Sequence, residues 1–147
     1  MDNLEMSHKS PQVVTGVIKW LHGIYSKQRI SNSENHKYLG MDIDYSVTSK
    51  VTFSMEKYTH NIISKFPEDL GKTAETPAGE HLFIVHDDTT RRPLPDKQAQ
   101  IFHRTVAQIL FLITRSRRDG RTALAFLSTR VKDPDKDDWA KLRRNLR

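Results

Sequence analysis

Basic side chains gather at two places in the second half of the sequence, and their chemistry suits the binding of phosphate. The first group follows an apolar run and contains Arg115, Arg117, Arg118 and Arg121. The second lies near the end of the chain and contains Lys141, Arg143, Arg144 and Arg147. A guanidinium group is planar, always charged and able to donate paired hydrogen bonds to phosphate oxygens. These residues predict a nucleic-acid-binding surface, and the alternative is a solvated basic surface without a ligand.

The distribution of charge along the chain favours the same prediction. Residues 91–147 contain 15 Lys and Arg against 6 Asp and Glu, a net charge of +9. Residues 1–90 contain 9 Lys and Arg against 12 Asp and Glu, a net charge of −3. Such asymmetry between two halves is typical of a chain with a polyanion-binding region.

Composition limits the other classes of function. The chain has 147 residues and no cysteine, which excludes disulfides and thiolate-bound metals. Its hydrophobic content of 36% predicts a thin core. No apolar run is long enough for a membrane span, and no leader-like segment opens the chain. We therefore expect an intracellular protein, in the cytoplasm or nucleus, that is not embedded in a membrane.

Acidic residues and histidines offer weaker candidates for chemistry. Three acidic pairs stand out: Asp42 with Asp44, Asp87 with Asp88, and Asp137 with Asp138. The first pair fits a solvent-facing strand, and the third fits a helix start, which the helix dipole favours. The seven histidines form no His-x-x-x-His pair and no His-Glu-x-x-His unit. These patterns predict no metal site.

Hydrophobic periodicity predicts the elements of the first half. A helix should begin at Ser10-Pro11 and pack one face on a sheet. Alternation from Tyr38 to Tyr45 predicts one strand with a buried face, formed by Leu39, Met41, Ile43 and Tyr45. A polar turn at Ser46–Lys50 should lead into a partner strand at Val51, Phe53 and Met55. A helix from about Met55 to Lys65 should follow.

The second half should be helical after a long connection. Residues 67–95 contain four prolines and predict a loosely ordered linker, in which Leu82–Val85 forms a short strand or docks on the hairpin. Helices are then predicted over 101–113, 122–131 and 134–147, and the chain stops inside the last one. The first of them should bury an apolar stripe formed by Phe102, Val106, Ile109, Leu110 and Ile113.

The hairpin that starts with Tyr38-Leu39-Gly40 resembles the primer-grip hairpin of copia-type retrotransposon reverse transcriptases. The opening MDNLEMSHKSPQVV resembles the end of the catalytic turn of that family, whose pattern is Tyr-Val-Asp-Asp-Leu. The family's Thr-Pro-Ala linker resembles ETPAGEHLF, and its C-terminal helical region resembles the segment from Phe102 to Arg147. The resemblance covers essentially the whole chain, with the motifs in the same order and at similar spacings.

Three departures from the family pattern bear on activity. The chain begins inside the catalytic turn, so Asp2 falls on the first aspartate of the pair and Asn3 replaces the second. Arg118 and Gly120 disturb the usual Arg-Pro-Asp-Ile turn. Polymerases of this kind hold two metal ions with carboxylates, and asparagine offers a carbonyl oxygen without a charge. The resemblance therefore implies Mg²⁺ for the intact family enzyme, and we expect no cofactor and no catalysis in this fragment.

Together these observations predict an α+β fold, with a palm-remnant helix and β-hairpin followed by a helical thumb-like bundle. Residues 1–66 should form the palm end, primer grip and first thumb helix, residues 67–95 the linker, and residues 96–147 the basic bundle. The resemblance implies that the chain contacts RNA/DNA template–primer through Tyr38, Leu39, Gly40 and the basic residues. Two alternatives stay open: a non-enzymatic nucleic-acid-binding module, and a fragment that docks on an intact polymerase or on its missing domains.

Overall fold

Helices and one small antiparallel sheet make up the chain in a computed structural model that describes residues 4–26, 29–87 and 89–147. The predicted α+β class is confirmed, because these residues form five α-helices and a three-stranded sheet. The elements are α1 Pro11–Ile24, β1 Asn35–Tyr38, β2 Met41–Asp44, β3 Thr52–Ser54, α2 Glu56–Lys65, α3 Asp96–Ile113, a 3-10 helix Arg118–Gly120, α4 Arg121–Thr129 and α5 Lys136–Leu146. The chain divides into two compact units, Met1–Ser54 and Met55–Arg147.

The first unit contains α1 and the sheet, whose strands lie in the order β1-β2-β3. His36 pairs with Ile43, and Ile43 pairs with Phe53, so these three side chains share one face. Ile43 is buried, whereas Phe53 is exposed. The helix α1 begins at Pro11 as predicted. One side of α1 is half-buried, at Val14, Val17, Ile18 and Leu21, and none of its residues is fully buried. The apolar face that was predicted to pack on a sheet is therefore only partly covered.

The predicted continuous strand from Tyr38 to Tyr45 is also wrong. The chain reverses at Leu39-Gly40, where φ is 46° and 78°, and Tyr38 pairs with Met41. Two central residues with positive φ form the tight type of turn whose twist matches that of the flanking strands. Glycine adopts this conformation without strain, whereas leucine does so at a cost. The predicted turn at Ser46–Lys50 is confirmed, since it joins β2 to β3.

The core of the second unit lies among α3, α4 and α5. Its fully buried apolar side chains are Phe102, Leu124, Leu127 and Leu142. The buried stripe of α3 was predicted correctly except for Leu110, which is 45% exposed. Thr105 and Leu112 are buried instead. The stripe therefore extends toward the side of α3 that carries these two residues, and Leu110 lies beyond its opposite edge.

Residues 67–95 belong to the second unit, and those of them that the structure describes form no helix. Leu82–Val85 forms no strand, so the first of its two predicted alternatives is wrong: Leu82 is buried and the next three residues are exposed. Phe83 packs edge-on against Phe126, with ring centroids 5.7 Å apart. At the end of the segment, Leu94 N–H donates to the Pro134 carbonyl at 3.1 Å. These contacts bring the segment alongside the start of α5.

The helix α5 begins with a reciprocal cap that fixes its direction. The Asp135 carboxylate accepts from Asp138 N–H at 2.8 Å, and the Asp138 carboxylate accepts from Asp135 N–H at 3.1 Å. Arg130 Nε also donates to Asp138, at 3.1 Å. Burial nevertheless raises the pKa of Asp138. Among the helices of the described residues, none combines the length and the apolar composition needed to cross a bilayer.

Candidate nucleic-acid interface

The first basic group lies in the turn between α3 and α4, which we call the basic turn and define as residues 114–121. Gly120 anchors this turn to the core. A Cβ atom there would lie 2.7 Å from Ile113 Cδ1 and 3.4 Å from Asn145 Nδ2, so the backbone approaches the core as closely as glycine allows. The arginines on either side of Gly120 are exposed. The basic turn is therefore fixed at its base and presents its cations to solvent.

Arg115 is oriented by contacts with its own helix. Its guanidinium carbon lies 3.6 Å from the centroid of the Phe111 ring. Its Nη1 donates to the Phe111 carbonyl at 3.1 Å and to Thr114 Oγ1 at 3.2 Å. Stacking on an aromatic face holds a guanidinium group without neutralising it. Arg115 therefore keeps its positive charge in a defined orientation.

Arg117 is partly neutralised by a neighbour in the same turn. Its Nη2 donates to Asp119 Oδ2 at 2.7 Å, and its Nε lies 3.4 Å from Asp119 Oδ1. This hydrogen bonding lowers the pKa of the Asp119 carboxyl and raises the pKa of Arg117. Both side chains are about half exposed, so solvent weakens the pair. Of the four arginines, Arg117 is the one least available to a phosphate.

Arg118 and Arg121 are the most available cations of the basic turn. Both are exposed, and within the described part of the chain neither forms an ion pair. The Arg121 N–H donates to the Arg118 carbonyl, so the two residues lie one turn of helix apart on the same backbone scaffold. Exposed guanidinium groups of this kind can each donate hydrogen bonds to phosphate oxygens.

Lys141, in the second basic group, is used inside the protein. The residue is 5% exposed. Its Nζ lies 2.7 Å from Asp137 Oδ2 and donates to the Ile84 carbonyl at 2.6 Å. The ammonium group also lies 5.0 Å from the centroid of the Phe126 ring. Lys141 therefore joins α5 to the segment before it and does not present its charge at the surface.

Arg143 and Arg144 also hold the segment that precedes α3. Arg143 Nη2 donates to the Asp69 carbonyl at 2.8 Å, and its Nε lies 3.6 Å from Glu68 Oε2. Arg144 Nη2 donates to Thr76 Oγ1 at 3.1 Å. Both arginines are half-buried. The structure thus places the second basic group along one helix, where each member contacts residues 67–85.

Tyr38, Leu39 and Gly40 come together at the β1–β2 turn. Leu39 and Gly40 form its exposed tip, and Tyr38 is half-buried on the sheet face that carries His36 and Ile43. In the same unit, the His36 ring stacks on Tyr45 with centroids 5.7 Å apart. His36 Nε2 also lies 3.0 Å from Glu5 Oε2. The tip offers exposed backbone and an apolar side chain.

The acidic candidates show no metal-binding geometry. Asp2 and Asn3, and one member of the Asp87-Asp88 pair, lie outside the described residues. Asp87 accepts hydrogen bonds from Thr90 and from Thr89, which lower its pKa to about 2. Across the described ranges, no group of three His, Asp or Glu side chains could hold a metal ion.

Sequence reasoning missed His81, which the structure places beside the second basic group. His81 lines a cleft together with residues of α5, and its ring lies against Gly79. The helical spacing of Lys141, Arg144 and Arg147 indicates a shared helix face. Nothing in the sequence pairs that face with a turn 60 residues earlier.

Comparison of the chain with protein-family models, with curated proteins and with solved structures found no match.

Proposed function

We propose that this chain binds the backbone of a nucleic acid through the basic turn, as the primer-grip and thumb part of a copia-type RNA-directed DNA polymerase that does not polymerise by itself. One observation carries the proposal: Arg118 and Arg121 are exposed and lie one helical turn apart. Neither forms an ion pair with a described residue. Exposed guanidinium groups without a carboxylate partner can donate paired hydrogen bonds to phosphate oxygens.

The electrostatics of the basic turn set the expected strength of binding. Arg115, Arg118 and Arg121 are charged and exposed, whereas Arg117 shares its charge with Asp119. Each phosphate that is neutralised in B-form DNA contributes about 0.9 to the slope of log K against log salt. Three available arginines therefore predict a slope of roughly −2.7. Such binding is weak, sensitive to salt and independent of base sequence.

The absence of catalysis is the second part of the proposal. The sequence offers Asp2 alone at the position of the catalytic pair, because Asn3 carries no charge. Mg²⁺-dependent primer extension above a blank reaction would contradict this part. Replacing Asn3→Asp in this chain should not restore activity, because the resemblance implies a further metal-binding aspartate on an earlier strand of the family's palm, and residues 1–147 resemble only the part that follows it.

A matched pair of variants tests the binding proposal. Fluorescence anisotropy measures binding to an RNA/DNA hybrid duplex at several salt concentrations. When Arg118 and Arg121 are both replaced by Ala, the slope of log K against log salt should become less steep by about 1.8. The control removes two exposed arginines elsewhere, Arg92→Ala with Arg104→Ala, and so produces the same change in net charge. Equal slopes for the two double variants would show that the basic turn is only a solvated surface.

A second function, docking on an intact polymerase chain, is favoured by the apolar face of α1. Val13, Trp20 and Ile24 recur at helical spacing, and Trp20 is 62% exposed. This alternative predicts protein–protein association that Trp20→Ser abolishes and that the arginine variants leave unchanged. Sedimentation velocity with an intact copia-type polymerase measures that association.

A further inference from the structure

A cleft of about 240 Å³ opens between α5 and the turn formed by residues 77–82. On one side it is lined by Lys141, Arg143, Arg144 and Arg147, and on the other by Gly79 and His81. The described residues that line it include no acidic side chain. Lys141 shares its charge with Asp137 at 2.7 Å, so the three arginines supply the positive potential of this concave surface.

Two of these cations keep their full charge because their partners are neutral. Arg144 donates to the Thr76 hydroxyl at 3.1 Å, and Arg147 Nε donates to the Lys72 carbonyl at 2.5 Å. Neither arginine forms an ion pair with a carboxylate of the described residues. A neutral acceptor orients a guanidinium group without neutralising it, so both arginines are positioned in advance for an anion.

Arg144 also has a buried donor without an acceptor. Its Nε is buried and has no hydrogen-bond partner, whereas Arg143 Nε lies 3.6 Å from Glu68 Oε2. Buried donors in folded proteins are nearly always paired, and each exception calls for an explanation. An anion seated in the cleft would supply an acceptor for this donor once the Arg144 side chain turns toward it.

We infer that this cleft binds a phosphate monoester, which belongs either to the end of a nucleic-acid strand or to a free nucleotide. Its volume lies below the range of about 300–1,000 Å³ that is typical of sites for drug-sized ligands, and so fits a phosphate group with part of its sugar. Gly79 allows the His81 ring to lie close to the backbone, where a Cβ atom would come within 3.1 Å of it. The inference goes beyond the proposed function, because the cleft and the basic turn share no residue.

Inorganic phosphate is the first probe, and calorimetry at constant ionic strength measures its binding to the full chain. Ala140→Glu keeps every arginine and places a carboxylate one helical turn from Arg144, where it should weaken phosphate binding about tenfold or more. Ala125→Glu makes the same change on the exposed face of α4 and should leave binding unaltered. Arg144→Gln should match Ala140→Glu in its loss of binding. Undetectable binding of phosphate, or equal binding by the two Glu variants, would overturn the inference.

Three phosphate-bearing ligands then distinguish the two sources. A 5′-phosphorylated oligonucleotide that binds about tenfold more tightly than its 5′-hydroxyl counterpart, and more tightly than a nucleoside monophosphate, identifies a strand end. A monophosphate that binds as tightly as the phosphorylated oligonucleotide identifies a free nucleotide. If the phosphorylated and hydroxyl oligonucleotides bind equally and the monophosphate does not bind, the inference fails. That failure would leave the salt slope of the basic turn unaffected, so the two proposals are tested separately.

Discussion

The basic turn and α5 contain similar numbers of cations, but they use them differently. In the basic turn, Arg118 and Arg121 face solvent without an ion pair to a described residue. On α5, Lys141 is buried and donates to the carbonyl of Ile84. The comparison teaches that counts of basic residues predict an electrostatic potential but not its use. The use depends on whether backbone acceptors lie within reach of each side chain.

The difference follows from what each region packs against. The basic turn is held at Gly120, so its side chains radiate away from the core. The helix α5 lies beside residues 67–85, whose carbonyl groups need donors because much of that segment has no regular structure. Long basic side chains satisfy those groups and cover apolar surface with their stems. On this view α5 is first a structural element, and its cleft is a consequence of that packing.

The largest expected effect tests the structural role of α5. Trp139 is 6% exposed, stacks on Phe66 with centroids 5.0 Å apart, and donates from Nε1 to Glu68 at 2.9 Å. Trp139→Ala should lower the free energy of unfolding by about 3–5 kcal/mol, because it leaves a large cavity and an unpaired acceptor. Urea titration measures this loss. Trp139→Phe keeps a ring against Phe66 and should cost clearly less; equal losses would show that the stacking contributes little.

An intermediate effect tests how the basic turn is anchored. Gly120→Ala brings a Cβ atom to 2.7 Å from Ile113 Cδ1, so the Ile113 side chain must shift. We expect a loss of about 1–3 kcal/mol in the free energy of unfolding, together with weaker binding of the hybrid duplex. Gly23→Ala in α1 is the control, because nothing lies within 4 Å of its Cβ position. That change should stabilise α1 by about 0.5–1 kcal/mol. If Gly120→Ala left the free energy of unfolding unchanged, Gly120 would not anchor the basic turn.

The smallest effect concerns the ion pair within the basic turn. Asp119→Asn frees Arg117, so the salt slope for binding the duplex should steepen by up to about 0.9. The loss of stability should be only about 0.2–1 kcal/mol, because the pair is exposed. The pKa of Asp119 is lowered. The pair therefore stabilises the fold above the ordinary Asp pKa of about 3.9, and this contribution disappears as the pH falls through the lowered value. Identical slopes for Asp119→Asn and the unmodified chain would show that Arg117 does not reach the duplex.

The helices were predictable because periodicity reports local burial. The stripe of Phe102, Val106 and Ile109 predicted α3, and the acidic pair Asp137-Asp138 correctly indicated a helix start, since both lie in the first turn of α5. The error at Leu110 arose at the edge of the stripe, where the arrangement of the neighbouring helices decides which side is covered. Helix bounds were accurate to within a few residues, and the largest difference was at the start of α3.

The turn at Leu39-Gly40 and the packing of residues 67–85 could not be read from the sequence. A two-residue turn leaves the alternation of the two arms nearly unbroken, so Tyr38 to Tyr45 read as one strand. Four prolines indicated a linker, but the donors that hold this segment come from α5, about 70 positions away. Whether the guanidinium groups of Arg118 and Arg121 are exposed, and whether the ammonium group of Lys141 is buried, depends on such distant contacts. The sequence therefore predicts which side chains are basic but not which of them are free.

The contacts between α5 and the preceding segment also bear on the order of folding. The hydrogen bond from Trp139 to Glu68 joins residues 71 positions apart, and that from Arg147 to the Lys72 carbonyl joins residues 75 positions apart. Each such contact closes a long loop, and its entropic cost comes before its energetic return. The segment at residues 68–76 therefore cannot reach its final position on a growing chain until α5 has left the ribosome. During that interval its backbone groups are solvated by water, and the side chain of Phe66 lacks the indole ring that covers it in the finished fold.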